Sequence, residues 1–162
     1  MIDALIDQSF TGTTLSASLL RMTAAVLLGG VIGYERALHA RTAGLRTHIL
    51  IALASCLFAL LAFEIMARFE EESADPLRLI EAVTSGVAFL AAGSIIMAGD
   101  RLVGLTTGAG MWLAGAIGLA CGIGALVLAV LATVIVVPIL WMMRRLSHKI
   151  EDNGPENGPG GR

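Results

Sequence analysis

The sequence predicts an all-α polytopic membrane protein: a bundle of five transmembrane helices, N-terminus outside and C-terminus cytoplasmic. Three observations carry that expectation. Charged residues make up 15% of the 162-residue chain, against roughly 25% in a soluble domain. The charges gather between long apolar runs and are sparse inside them. A hydrocarbon core of about 30 Å needs about 20 residues of helix, and five runs meet that need. The runs do not alternate, as the roughly ten-residue strands of a membrane barrel do.

Residues 1–15 form a short N-terminal segment. They hold Asp3 and Asp7 but no Lys or Arg, so the basic region of a cleavable signal is missing and the first run is expected to persist as a helix. Helix one is expected at Ser16–Tyr34, helix two at Thr47–Ala67 and helix three at Leu77–Ala98. Helix four follows at Thr106–Gly122 and helix five at Ala125–Met143. Gly122-Ile123-Gly124 is a tight turn between the last two, and Pro138 is a kink candidate. The transmembrane domain spans 16–146. Residues 147–162, rich in Gly, Pro, Asn and Glu toward their end, are expected to form a disordered cytoplasmic tail.

Basic residues set the orientation. Arg36, Arg41 and Arg46 flank the first link, Arg101 lies in the third, and Arg144, Arg145 and Lys149 follow helix five. All three regions fall on one side, which the positive-inside rule makes cytoplasmic. The other side holds the acidic N-terminus and the link with Arg68, Glu70, Glu71, Glu72, Asp75 and Arg78. A net charge of -2 gives no reason to expect a nucleic-acid partner.

Cys56 and Cys121 lie inside apolar runs and read as small packing residues. Small residues recur at four-residue spacing: Gly29 with Gly33, Gly104 with Gly108, and Gly110, Ala114, Gly118 and Gly122 along helix four. Such spacing brings helix backbones close in lipid. Gly86 and Gly93 of helix three are further packing candidates.

Ionisable residues at membrane depth are costly and therefore functional candidates. Arg21, Glu64 and Glu81 come from three helices at similar depth and are expected to pair in an outer polar cluster, extended by Asp75 and Arg78. Snorkelling to the interface is the plainer alternative. The acidic link has the oxygen chemistry that suits Mg²⁺, although a solvated loop has the same composition. No His/Cys spacing suggests zinc, no cofactor is implied, and any metal site is left open. No nucleophile–base arrangement is visible, so an enzyme is not expected.

The most distinctive stretch is the cytoplasmic hairpin, GYERALHARTAGLRTHIL, residues 33–50. Glu35 and Arg36 end helix one, Gly44 breaks the chain, and Arg46, Thr47 and His48 open helix two, with Thr47 as a capping candidate. Opposite charges across a glycine-containing link suggest a Glu35–Arg46 pair, with Arg36 and His48 at its border.

These blocks resemble the MgtC/SapB family of bacterial inner-membrane proteins. The resemblance rests on Gly33-x-Glu35-Arg36, Ala43-Gly44-Leu45-Arg46-Thr47-His48, Asp75-Pro76-x-Arg78 and Ser85-Gly86-x-x-Phe89-Leu90-x-Ala92-Gly93. It continues through Gly104-Leu105-Thr106-Thr107, Trp112 and Ala116 to Gly124. The chain departs from the family pattern at Ala88 and Ala91, where glycines are usual, at Ala82, where Gln is common, and at Gly108-Ala109-Gly110. The resemblance implies an inner-membrane protein tied to growth at low Mg²⁺. It also implies a membrane-protein partner such as the F-type ATP synthase, acted on in place of Mg²⁺ transport. The expected function is regulation or interaction in magnesium homeostasis. The alternative is a small transporter or channel for Mg²⁺ or another ion, assembled as a homo-oligomer.

Overall fold

The structure, a computed structural model, describes residues 12–38, 43–69, 75–99 and 101–152. Five helices are present among them: α1 Leu15–Ala37, α2 Leu45–Phe69, α3 Pro76–Gly93, α4 Leu105–Gly122 and α5 Leu126–Asp152. A short β-hairpin, β1 Ile96–Ala98 with β2 Arg101–Val103, joins α3 to α4.

Local chemistry explains the boundaries. The Thr14 hydroxyl accepts from Ala17 N–H and caps α1. The Asp75 carboxylate accepts from Leu77 N–H at 2.9 Å, and Pro76 follows it in the first turn of α3. Helix three was expected to reach Ala98 but stops at Gly93. Ser94 turns the chain there, its N–H and hydroxyl both donating to Ala91 O. The following residues stay apolar, so hydropathy alone could not mark the end. Gly99, at φ 63°, opens the turn of the hairpin. Gly104 takes φ 95° just before α4, where an added Cβ would overlap Ser94 O. α4 ends in a Schellman closure: Ala125 N–H donates to Ala120 O and Gly124 N–H to Cys121 O, with Gly124 at φ 89°. α5 runs through Pro138 and on to Asp152, beyond the expected Met143. The rest of the expected tail, from residue 153, lies outside the described residues.

α1, α2 and α4 form the centre. α2 and α4 run parallel, as the paired contacts of Gly118 with Ala52 and Gly122 with Cys56 require. α1 runs against both: Gly29 meets Ala52 and Gly33 meets Leu45. One core layer joins α1, α2, α4 and α5 through Ala25, Ile32, Ala52, Cys56, Ile117, Cys121 and Ala129. A second sets Val83, Val87 and Ala91 of α3 against Met111, Ala114 and Leu119 of α4.

An added Cβ at Gly118 would run into the Ala52 carbonyl, and one at Gly122 would lie 2.6 Å from Cys56 O. At these two positions the backbones of α4 and α2 lie against each other. Gly86 and Gly93 differ, because nothing lies within 4 Å of an added Cβ at either. Both sit on the exposed side of α3, where Phe89 is 81% exposed.

The outer surface is apolar: Leu19, Leu27, Phe58, Leu61, Ile65, Val127 and Val134 all face outward. α1, α2 and α4 are each long and apolar enough to cross a membrane. A helical bundle with apolar side chains outside and small residues at its contacts is built for lipid, where every backbone group is satisfied within its own helix.

Candidate functional site at the α1–α2 hairpin

The end of α1, the start of α2 and the first turns of α4 meet at one end of the bundle. Their junction buries three polar side chains: Arg36 at 6% exposure, His48 at 0% and Thr107 at 3%. Burying such groups is costly, so their concentration at one junction marks it as the candidate site.

Glycines make the junction possible. A Cβ at Gly33 would lie 2.8 Å from Leu45 Cα and 3.0 Å from His48 Cβ. Gly110 of α4 does the same from the other side. Its added Cβ would lie 3.1 Å from His48 Nε2 and 3.5 Å from Arg36 Nε. The imidazole and guanidinium therefore converge on one spot above a bare helix backbone.

His48 Nδ1 lies 2.9 Å from Gly44 O. A carbonyl only accepts, so Nδ1 carries the hydrogen. In the neutral ring, Nε2 is then an acceptor turned toward the Arg36 side of the junction. Nε2 is buried and has no hydrogen-bond partner among the described residues. Glu35 is half-buried beside this pair. Cation, imidazole and carboxylate thus lie within electrostatic reach of one another.

The expected Glu35–Arg46 pair is not formed. Arg46 is exposed and makes no ion pair among the described residues. Helical geometry gives the reason: His48 is two positions on from Arg46, a rotation of about 200°. With His48 facing α1 and α4, Arg46 must face away. Arg36 and His48, expected at the border, occupy the centre. Thr47 is not the cap either, because α2 already begins at Leu45. Gly44 supplies the turn and the carbonyl for His48. Thr107 and Gly110 were not singled out as site residues. Their signals were the place of Gly110 in the small-residue stripe of helix four and that of Thr107 in the Gly104 to Thr107 block.

The expected outer cluster also resolves differently. Arg21 Nη1 donates to Gly122 O at 2.9 Å, placing a cation at the C-terminal end of α4. Glu64 accepts from Gly12 N–H, Thr13 N–H and the Thr13 hydroxyl at 3.0–3.2 Å, holding the lead-in to α1. Asp75 caps α3. Arg78 and Glu81 are exposed, and neither Arg21 nor Glu81 has an ion pair among the described residues. These side chains serve helix ends and chain segments instead of one another. Glu70, Glu71 and Glu72 lie outside the described residues, as do His39 and Arg41. Among the described residues no group of three or more His, Cys, Asp or Glu is placed to hold a metal ion.

Fold and surface together define a multi-pass, all-α membrane protein with a buried polar junction at one end. The MgtC family model matches residues 22–149, and the chain belongs to that family. It is 33% identical over 135 residues to YhiD of Escherichia coli (strain K12), named as a candidate magnesium transporter; the match covers 82% of this chain and 63% of that one. It is 34% identical over 137 residues to Protein MgtC of Brucella abortus (strain 2308), covering 85% of this chain and 56% of that one. It is 35% identical over 132 residues to Protein MgtC of Salmonella typhimurium, covering 82% and 54%. The chain thus spans between about half and two thirds of these relatives' length. No solved structure matches it.

Proposed function

We propose that the chain is a regulatory or interaction protein of the bacterial inner membrane, acting in magnesium homeostasis, and that it is not an enzyme. The magnesium connection comes from the family and from the name of the Escherichia coli relative. One observation carries the choice of regulator over carrier: the contact between α2 and α4 is closed by backbone against backbone at Gly118 and Gly122. α4 has no charged residue. Buried charge and imidazole collect at the hairpin end, and a transporter usually places polar groups and broken helices at mid-membrane. In this reading the Arg36–His48 junction, bordered by Glu35 and Thr107, sets the angle of the hairpin that a membrane-protein partner meets. The F-type ATP synthase is the partner the family suggests.

The second reading, a Mg²⁺ transporter or channel assembled from several copies, is favoured by the name of the Escherichia coli relative. Two measurements separate the two. In a strain lacking the protein, the chain is expected to restore growth at low Mg²⁺, and His48→Ala at equal membrane abundance is expected not to. Proteoliposomes containing only this chain are expected to pass Mg²⁺ no faster than empty ones. Protein-dependent Mg²⁺ flux would overturn the regulatory reading in favour of the transporter.

A further inference from the structure

At the same end of the bundle, an open groove of about 530 Å³ lies between the start of α2, the end of α3 and Met111 of α4. Its size falls within the range of about 300–1,000 Å³ typical of ligand sites. Leu50, Ile51, Leu90 and Met111 form its apolar walls, and Arg46 and Thr47 form its polar rim. The Arg46 guanidinium and the Thr47 hydroxyl make no hydrogen bond or ion pair among the described residues. Both stand on the first turn of α2, whose leading N–H groups add positive potential.

Depth identifies the occupant. α2 has 25 residues, about 37 Å at about 1.5 Å each, against a hydrocarbon core of about 30 Å. Its first turn therefore reaches the headgroup level, while Leu50 and Ile51 lie just inside the hydrocarbon. A guanidinium and a hydroxyl at headgroup level, above an apolar trough leading inward, match a phosphate followed by an acyl chain. Among the described residues the rim carries no carboxylate, so the charge complementarity is for an anion.

We propose that this groove binds an anionic phospholipid, its phosphate on Arg46 and Thr47 and an acyl chain along Leu50, Ile51, Leu90 and Met111. The site is separate from the Arg36–His48 junction and does not depend on the regulatory reading. Bound lipid would tie the end of α3, otherwise loosely held to α2, to the start of α2.

The test uses the full chain purified in detergent, titrated with dioleoylphosphatidylglycerol or dioleoylphosphatidylcholine and read by native mass spectrometry. Phosphatidylglycerol is expected to be retained in preference. Arg46→Gln is expected to weaken its retention about tenfold, the loss of about one charge-assisted hydrogen bond. Arg68→Gln, at the other end of α2, is expected to change nothing. Leu90→Trp fills the trough and is expected to reduce retention of both lipids. Arg46 is exposed, so its variant should fold, and a thermal melt checks this. Equal retention of the two lipids, or unchanged retention by Arg46→Gln, overturns the proposal. Displacement of phosphatidylglycerol by inorganic phosphate at matched concentration also overturns it, because the site would then take free phosphate.

Discussion

At the scale of single residues, the hairpin shows which signals the sequence carried. It placed Glu35, Arg36, Arg46 and His48 near one link, and the structure does gather Glu35, Arg36 and His48 there. The partnering was not legible, because opposite charge says nothing of which helix face a side chain occupies. A burial-weighted choice would have favoured His48, which shares a face with Ala52 and Cys56 at four-residue spacing. A double-mutant cycle tests the result. Arg36→Ala and His48→Ala are expected to be non-additive by about 0.5–3 kcal/mol, as contacting buried groups are. Glu35→Ala and Arg46→Ala should add to within about 0.5 kcal/mol. Unfolding in detergent measures both cycles, and additivity in the first would remove the junction. The outer end carries a second residue-scale expectation. Arg21 answers the carbonyl end of α4, a partner whose partial charge never appears in a sequence. Arg21→Met should cost about 1 kcal/mol, whereas Glu81→Gln, on an exposed side chain, should fall within about 0.5 kcal/mol of wild type.

At the scale of elements, four-residue glycine spacing located the α4 contact face but could not distinguish a packed glycine from an exposed one. Gly118 and Gly86 show the difference. A side chain at Gly118 must displace the Ala52 carbonyl, so the helices would have to separate. Gly118→Leu is expected to cost at least about 3 kcal/mol or to prevent folding, the upper range for overpacking. Gly86→Leu meets open space and should be tolerated, with a gain of up to about 1 kcal/mol from helix propensity. Melting temperatures in one detergent compare the two, and equal melting would remove the backbone-contact argument. The β-hairpin was missed for a related reason. Ile95 to Ala98 continue the apolar run, and the residues that end α3 act through backbone geometry. Gly104 is its most sensitive position. Gly104→Ala combines a positive φ with overlap on Ser94 O and should lower the melting temperature, whereas Ala98→Gly should do so less.

At the scale of the whole molecule, the run lengths and the absence of alternation were enough for an all-α membrane bundle, because lipid allows few alternatives. The up-and-down arrangement adds what hydropathy could not. α2 and α4 run parallel and α1 runs against them, so the C-terminal end of α1 and the N-terminal ends of α2 and α4 share one end. Arg36, Arg46 and Arg101 belong to segments at that end, while Glu64 and Asp75 belong to segments at the other. Positive charge on short links resists translocation, so this end is expected in the cytoplasm. The test begins with Cys56→Ala and Cys121→Ala. Both cysteines are fully buried, so a small side chain at each should preserve the fold. Into that background Ile123→Cys places a thiol in the exposed α4–α5 turn, and Gly154→Cys places one after α5. A membrane-impermeant maleimide on intact cells is expected to label position 123 at once. Position 154 should label only after the membrane is opened. Labelling of 154 in intact cells, with 123 protected, would invert the molecule. The Arg36–His48 junction and the Arg46 groove would then face the outside, and a cytoplasmic partner for the hairpin would be ruled out.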